Sequence, residues 1–152
     1  MKISRQRLIP FLTESLGIES IHRQPTELEI EEAERFLSLD HIITRDVTTF
    51  VNIYAPGAEL RSRPGMNVRV GNRYPMLGGG QVETCLIGIL ATISTAYPYA
   101  THVKYEALHP FTDCNGRSGR MIWLWQVLKQ NRLAAGLSFL HSWYYSSLEN
   151  SH

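Results

Sequence analysis

The chain has 152 residues, of which 43% are hydrophobic and 19% are charged, and its formal net charge is +1 at pH 7. That length and that hydrophobic fraction suffice for one domain whose buried core needs no disulfides. The small net charge argues against a nucleic-acid-binding surface, which requires a basic stripe. The apolar run at residues 8–12 is too short for a signal peptide or a membrane span, so we expect a cytoplasmic protein without a membrane partner.

Helical patterns cover most of the chain. They fall at residues 26–39, 44–54, 81–95, 99–109, 115–131 and 137–148. The first of them begins after Pro25-Thr26 with acidic residues in its first turns, which is typical of a capped helix. The second ends just before Pro56-Gly57. The sequence therefore predicts an all-α fold.

Residues 56–80 interrupt the helical pattern with several glycines and prolines. Within them, residues 66–70 alternate like a strand, Gly71-Asn72 is typical of a tight turn, and residues 73–74 can form the returning strand. The sequence thus predicts one β-hairpin over about residues 66–80. An exposed hairpin edge can bind an extended peptide through its backbone, although many hairpins only connect two helices.

The densest polar chemistry lies in residues 109–120, which read His-Pro-Phe-Thr-Asp-Cys-Asn-Gly-Arg-Ser-Gly-Arg. Polar groups this crowded usually face a ligand, because each costs free energy when it is buried without a partner. Asn115 is a suitable N-cap for the helix that follows, and Gly116 lets a bulky anion approach the first free N–H groups. The start of this helix should therefore attract phosphate.

The side chains of this segment favour a polyphosphate as the ligand. Arg117 and Arg120 are three residues apart on one helix face, so both guanidinium groups can reach one phosphate chain. Asp113 lies just before the helix, where a carboxylate can hold a Mg²⁺ ion that bridges phosphate oxygens. His109 is the only candidate base in the segment, and a neutral imidazole can accept a proton from a hydroxyl.

These residues resemble the signature of the Fic (filamentation-induced-by-cAMP) family, His-Pro-Phe-x-Asp/Glu-Gly-Asn-Gly-Arg-x-x-Arg. The segment at 109–120 matches every specified position except Cys114. The similarity extends upstream through residues 105–108 and into residues 63–69, and it covers roughly residues 18 to 145.

The resemblance implies that residues 1–152 form a single all-helical Fic domain with one β-hairpin flap. A domain of this type is a protein adenylyltransferase, which uses ATP and Mg²⁺ to transfer AMP to a Ser, Thr or Tyr hydroxyl of a target protein, in some cases itself. The implied roles are His109 as the base, Asp113 as the Mg²⁺ ligand, Cys114, Asn115, Gly116 and Arg117 at the phosphates, and Arg120 at the γ-phosphate. The implied target-binding flap consists of Val68, Arg69, Val70, Gly71, Asn72, Arg73 and Tyr74. Such a protein acts in the cytoplasm or is delivered to a host cell as an effector.

A second segment, from Ser15 to Ser20, resembles the N-terminal inhibitory motif of one Fic class, Ser/Thr-x-x-x-Glu-Gly/Asn. It departs from that motif at Ser20, where Gly or Asn is expected. The resemblance implies an inhibitory helix over about residues 5–20, whose Glu19 pairs with Arg120 and prevents correct binding of the γ-phosphate. Such competition is physically reasonable, because carboxylates and phosphates bind the same guanidinium fork.

Other interpretations of these residues stay open. Glu19 can be an ordinary solvated acid, as most glutamates are. A weaker version of the inhibitory motif occurs near the C-terminus at residues 146–150. His102, Glu106 and His109 share one helix face with a spacing that can hold a transition metal.

Cys114 is the departure with the largest consequence, because family members have Gly at this position. That Gly suggests a positive φ, which costs a non-Gly residue roughly 1–2 kcal/mol, or a close approach of the backbone to phosphate. A thiol at a helix N-terminus beside two arginines should also have a lowered pKa. One alternative function is therefore a catalytically impaired nucleotide- or protein-binding module. A separate alternative is a transferase of another phosphate-linked group, namely UMP, phosphocholine or phosphate.

Overall fold

The computed structural model describes residues 3–130, and these residues form six α-helices. The helices are α1 (Arg5–Ile18), α2 (Glu27–Leu37), α3 (Thr44–Tyr54), α4 (Gly80–Ala91), α5 (Pro98–Leu108) and α6 (Asn115–Lys129). Since residues 3–130 contain isolated β-bridges but no β-strand, the predicted all-α class is confirmed. None of the six helices is long and apolar enough to cross a membrane. The predicted helix at 137–148 and the alternative motif at 146–150 lie outside the described residues.

Helix α6 is the central element of the packing. It contacts α1, α2, α3 and α5, and its side chains are buried on nearly every face, including Met121, Leu124 and Trp125. This burial agrees with the apolar run that follows the polar segment in the sequence. The polar residues at the beginning of α6 are therefore surrounded by other helices, and their hydrogen-bonding groups must find partners within the protein.

Helix α1 ends in a Schellman motif that places Glu19. The N–H of Ser20 donates to the carbonyl of Gly17 at 2.9 Å, and the N–H of Ile21 donates to the carbonyl of Leu16 at 3.0 Å. This motif requires a left-handed residue at its penultimate position, and Ser20 has a φ of 60°. Gly or Asn would adopt this backbone conformation more readily than Ser20, which adopts it at a cost in free energy.

The segment between α3 and α4 contains a tight turn where a hairpin was predicted. Val70 and Arg73 exchange both backbone hydrogen bonds, at 2.8 and 2.9 Å, around Gly71-Asn72. Residues 66–69 pair with no strand; instead, Asn67 accepts a bond from the N–H of Gly78 through its side chain. The predicted turn is therefore present, but the predicted strand pair is absent from the described residues because local side chains and turns bind those backbone groups.

This segment is anchored to the connection between α5 and α6. An isolated antiparallel bridge joins Leu60 to Phe111. The N–H of Arg61 donates to the carbonyl of Pro110 at 2.9 Å, and the N–H of Thr112 donates to the carbonyl of Glu59 at 2.9 Å. We call residues 66–79 the flap loop; the bridge brings the residues that precede this loop next to the first residues of the polar segment.

Replacing Ser20 with Gly should stabilise the protein. Glycine adopts the left-handed conformation without steric cost, so the free energy of unfolding of Ser20→Gly should rise by about 0.5–1 kcal/mol. Urea denaturation followed by circular dichroism measures this change. Ser38→Gly is the matched control, because Ser38 also follows a helix but has a φ of −82°; it should not be stabilised. A Ser20→Gly variant no more stable than the wild type would contradict the assigned conformation.

Candidate functional site

The first turn of α6 begins with a residue in the left-handed conformation. Cys114 is the N-cap and has a φ of 70°, so the positive φ suggested by the Gly of the resembling family is present here. The prediction of Asn115 as the N-cap is wrong, because it is the first residue of the helix. Its side chain accepts a bond from the N–H of Phe111 at 2.9 Å and donates to the carbonyl of Phe111 at 2.8 Å. Asn115 therefore fixes the loop before the helix and leaves the helix N–H groups to another partner.

The thiol of Cys114 belongs to the hydrophobic core, with 4% of the residue exposed. Burial raises the pKa of this thiol to about 12 and outweighs the opposite effects of Arg117 and Arg120. The expectation of a lowered pKa is therefore wrong, because desolvation disfavours the thiolate more than the nearby positive charges favour it. The side chain is part of the packing and does not crowd the solvent side of the helix start.

Arg117 points towards α3. Its Nη1 donates to the carbonyl of Tyr54 at 2.9 Å, and its Nη2 lies 3.5 Å from Oδ1 of Asp113. Its Nε is buried and has no hydrogen-bond partner among residues 3–130. An N–H group that is buried without a hydrogen-bond partner costs free energy. The Nε of Arg117 is therefore a donor that an anionic ligand can use.

Arg120 points towards α1 and is 1% exposed. Its Nε donates to Oγ of Ser15 at 2.8 Å, and its Nη2 donates to the carbonyl of Ser15 at 2.9 Å and to Oε1 of Glu19 at 2.8 Å. The contact between Glu19 and Arg120 that the inhibitory motif implied is therefore present, and Ser15 takes part in it. Arg117 and Arg120 hold different helices in this structure and do not converge on one point.

The carboxylate of Glu19 lies directly over the start of α6. A Cβ atom built on Gly116 would overlap Oε1 of Glu19 and would lie 2.9 Å from Nη1 of Arg120. A negative charge is stabilised at this position by the free N–H groups and the dipole of the helix. The place where the sequence predicted a phosphate is thus occupied by a carboxylate of the same chain.

His109 ends α5 in the left-handed conformation, with a φ of 52°. Its imidazole is half-buried, and its Nδ1 is buried without a hydrogen-bond partner within the described part of the chain. Burial lowers the pKa of this imidazole, and the positive charges of Arg61 and Arg73 lower it further. The side chain is therefore neutral near pH 7, as a general base must be.

Arg61 is a site residue that the sequence did not indicate. It is fully buried, and its guanidinium donates to four backbone carbonyls. These belong to His109 at 2.7 Å, Met76 at 2.8 Å, Leu108 at 3.0 Å and Met66 at 3.0 Å. Nothing in the local sequence separates Arg61 from Arg63, which is exposed and pairs with Glu59; the burial that distinguishes the two arises only in the folded protein.

The predicted flap residues lie on and around the tight turn. Five of them are exposed, namely Arg69, Gly71, Asn72, Arg73 and Tyr74, and Val68 and Val70 are half-buried. The guanidinium of Arg69 lies 5.6 Å from the ring centre of Tyr74. Arg73 donates to the carbonyl of Ala107 at 3.0 Å and to that of Glu106 at 3.3 Å. The turn is therefore held beside the end of α5, next to His109.

The alternative transition-metal site at His102, Glu106 and His109 is not formed. Residues 3–130 contain no group of three or more His, Cys, Asp or Glu side chains that could hold a metal ion. Nε2 of His102 lies 3.8 Å from Oε1 of Glu106, and burial lowers the pKa of His102 to about 4. Asp113, the predicted Mg²⁺ ligand, is two-thirds exposed and accepts the N–H of Cys114 through Oδ1, so its carboxylate remains accessible to a cation.

We compared the chain with models of protein families, with curated proteins and with solved structures, and none of them matches.

The overlap at Gly116 gives a test of where Glu19 lies. Gly116→Ala should destabilise the wild type, because the new methyl group collides with the Glu19 carboxylate. In a Glu19→Ala background the same change should cost less, because only the close approach to Nη1 of Arg120 at 2.9 Å then remains. Thermal or urea unfolding of the four proteins measures this coupling. Equal effects of Gly116→Ala in both backgrounds would place Glu19 elsewhere.

Glu106 should make stability depend on pH. Burial raises its pKa to about 7, and its Oε1 has no hydrogen-bond partner among the described residues. The folded protein therefore retains a proton on Glu106 that the unfolded chain loses above about pH 4.5, so this carboxyl group contributes a fall in the free energy of unfolding as pH rises from there to about 7. The contribution of His102, whose pKa burial lowers to about 4, has the opposite sign, so the Glu106 fall is measured as the difference between the wild type and Glu106→Gln. The fall should be about 1–3 kcal/mol. It should vanish in Glu106→Gln and persist in the control Glu31→Gln; a fall that survives Glu106→Gln has another source.

Proposed function

We propose that the protein is a protein adenylyltransferase of the Fic type, held in an inhibited state by Glu19. The observation that carries this proposal is the carboxylate of Glu19 lying over Gly116 and bonded to Arg120. A helix start that holds a carboxylate in this way has the donors and the field that bind a phosphate. The same residue then explains both what the site binds and why it is closed.

The neighbouring side chains suit transfer to a hydroxyl. Asn115 fixes the loop that runs from His109 to the helix, through its two bonds to Phe111. This places a neutral imidazole, whose pKa is lowered by burial, close in the chain to the phosphate-binding turn. A base beside an anion site is the arrangement that phosphoryl and nucleotidyl transfer need.

In the proposed reaction His109 accepts the proton of a target hydroxyl, whose oxygen forms a bond to the α-phosphorus of ATP. The bond between that phosphorus and the oxygen bridging to the β-phosphate breaks, and pyrophosphate leaves. Arg120, once released from Glu19, binds the γ-phosphate, and the buried Nε of Arg117 is an available donor to the leaving oxygens. Asp113 would hold Mg²⁺, which neutralises phosphate charge when bound.

The proposed partner is a protein with an accessible Ser, Thr or Tyr hydroxyl. The flap loop is exposed around its turn, and the bonds of Arg73 to the end of α5 hold it beside His109. A peptide lying along this loop would present its hydroxyl to the base. We propose the cytoplasm, or that of a host cell, as the place of action.

A second candidate function is nucleotide binding without transfer. The specific observation in its favour is Cys114 at a φ of 70°, a conformation that a non-Gly residue adopts at a cost. Burial of the thiol in the core argues that this cost is met without obstructing the helix start. Under the second candidate, Cys114→Gly would be needed before any transfer could be detected.

The proposal predicts AMP transfer that Glu19 limits and His109 requires. Incubation with α-labelled ATP and Mg²⁺ should label protein, and Glu19→Gly should increase labelling about tenfold or more, as expected for the loss of a charge-assisted hydrogen bond. His109→Ala in the Glu19→Gly background should abolish it. Glu31→Gly, which removes an exposed acid of α2, is the control and should not increase labelling.

The donor distinguishes the remaining alternatives. ATP labelled at the γ-phosphate should leave no label on protein, and label from this donor would indicate transfer of phosphate. Label from UTP labelled at the α-phosphate would indicate transfer of UMP, and label from CDP-choline would indicate transfer of phosphocholine. Silence of the wild type and of Glu19→Gly with every donor, followed by labelling in Glu19→Gly/Cys114→Gly, would support the impaired module instead.

A further inference from the structure

The end of α5 is bound by two arginines from the preceding loop. The last carbonyls of a helix have no partner within the helix, and here those of residues 106–109 are all bonded. Arg73 donates to Glu106 and Ala107, and Arg61 donates to Leu108 and His109. Two cations thus lie at the negative end of the helix dipole, which stabilises both.

Arg61 also binds the flap loop at two places. Its Nη1 donates to the carbonyl of Met66 at 3.0 Å and to that of Met76 at 2.8 Å, which lie near the two ends of the loop. A planar guanidinium has donors in a fixed fork, so it can join four carbonyls in one geometry, which the flexible ammonium of lysine cannot do. The ends of the loop and the backbone of His109 therefore share one fully buried side chain.

We propose that Arg61 and Arg73 are positioning residues that lock the flap loop and His109 into one rigid unit, so that a hydroxyl presented on the loop meets the base at a fixed distance. This inference rests on the proposed function. We call the two side chains the arginine clamp. Arg61 is the buried half of the clamp and fixes the position of the His109 backbone. Arg73 is the exposed half and holds the turn against α5.

The clamp has an electrostatic consequence that a purely structural role would lack. Both arginines place positive charge near the imidazole and lower the pKa of His109, in addition to the effect of burial. A lower pKa keeps the base neutral. The same two side chains thus hold the base in place and keep it able to accept a proton.

The first test is the pKa of His109, measured by NMR titration of its imidazole and assigned by comparison with His109→Ala. Arg73→Gln should raise this pKa by about half a pH unit, the size expected for loss of one partly screened charge. Arg63→Gln is the matched control, because Arg63 lies in the same segment and pairs with Glu59; it should leave the pKa unchanged. An unchanged pKa in Arg73→Gln overturns the clamp.

The second test separates positioning from binding. In the Glu19→Gly background, Arg61→Lys and Arg73→Gln should each lower kcat for AMP transfer, Arg61→Lys by about 100-fold, as expected for a base displaced by roughly 1 Å. The KM for ATP should stay unchanged, and Arg63→Gln should behave like its parent. A kcat equal to that of the parent in both variants overturns the proposal, even where Arg61→Lys lowers the melting temperature.

Failure of the proposed function can be told apart from failure of the clamp. If the Glu19→Gly parent transfers no AMP, the proposed function fails. The clamp is then tested by the pKa of His109 and by amide hydrogen exchange. Arg61→Lys should accelerate this exchange both in the flap loop and at residues 108–110. Faster exchange in the loop alone overturns the coupling, as does an unchanged pKa of His109 in Arg73→Gln.

Discussion

The arrangement of the candidate site depends on the contact between Arg120 and the end of α1. A guanidinium that is 1% exposed costs free energy unless its donors are bound, and Ser15 and Glu19 bind them. This requirement fixes α1 against α6 and brings the Glu19 carboxylate over Gly116. The interaction that holds the two helices together thus also places a carboxylate at the start of α6, where we propose that a phosphate binds.

A second buried arginine imposes an equivalent constraint on the other side of the site. Arg61 has no carboxylate partner in the described chain, so its donors bind backbone carbonyls of the flap loop and of α5. His109 is held by its backbone, and Arg73 adds a second tie from the turn. Arginine side chains thus fix both His109 and the flap loop, and another arginine, Arg120, holds the Glu19 carboxylate over the start of α6. In the function that we propose, the first contacts position the base and the loop, and the last contact keeps the site inhibited.

The sequence predicts those parts of the fold and of the candidate site that depend on neighbouring residues or on a pair of short motifs. Helix ends follow capping residues, glycines and prolines, and the contact of Glu19 with Arg120 follows from two short motifs far apart in the chain. What failed depended on burial. Desolvation raises the pKa of Cys114, whereas the sequence predicted a lowered pKa. The side chain of Asn115 binds the backbone of Phe111 and does not cap the helix. Arg61 cannot be distinguished in the sequence from an exposed loop arginine, although it is fully buried in the folded protein.

The inhibited state that we propose has the Glu19 carboxylate at the position of the γ-phosphate, and the affinity for ATP relative to ADP tests this directly. Calorimetric titration in the presence of Mg²⁺ gives both dissociation constants for the wild type and for Glu19→Gln. We predict that the wild type binds ATP no more tightly than ADP, whereas Glu19→Gln binds ATP about tenfold or more tightly than ADP, because Arg120 then reaches the γ-phosphate. The same ratio of affinities in both proteins would contradict the claim.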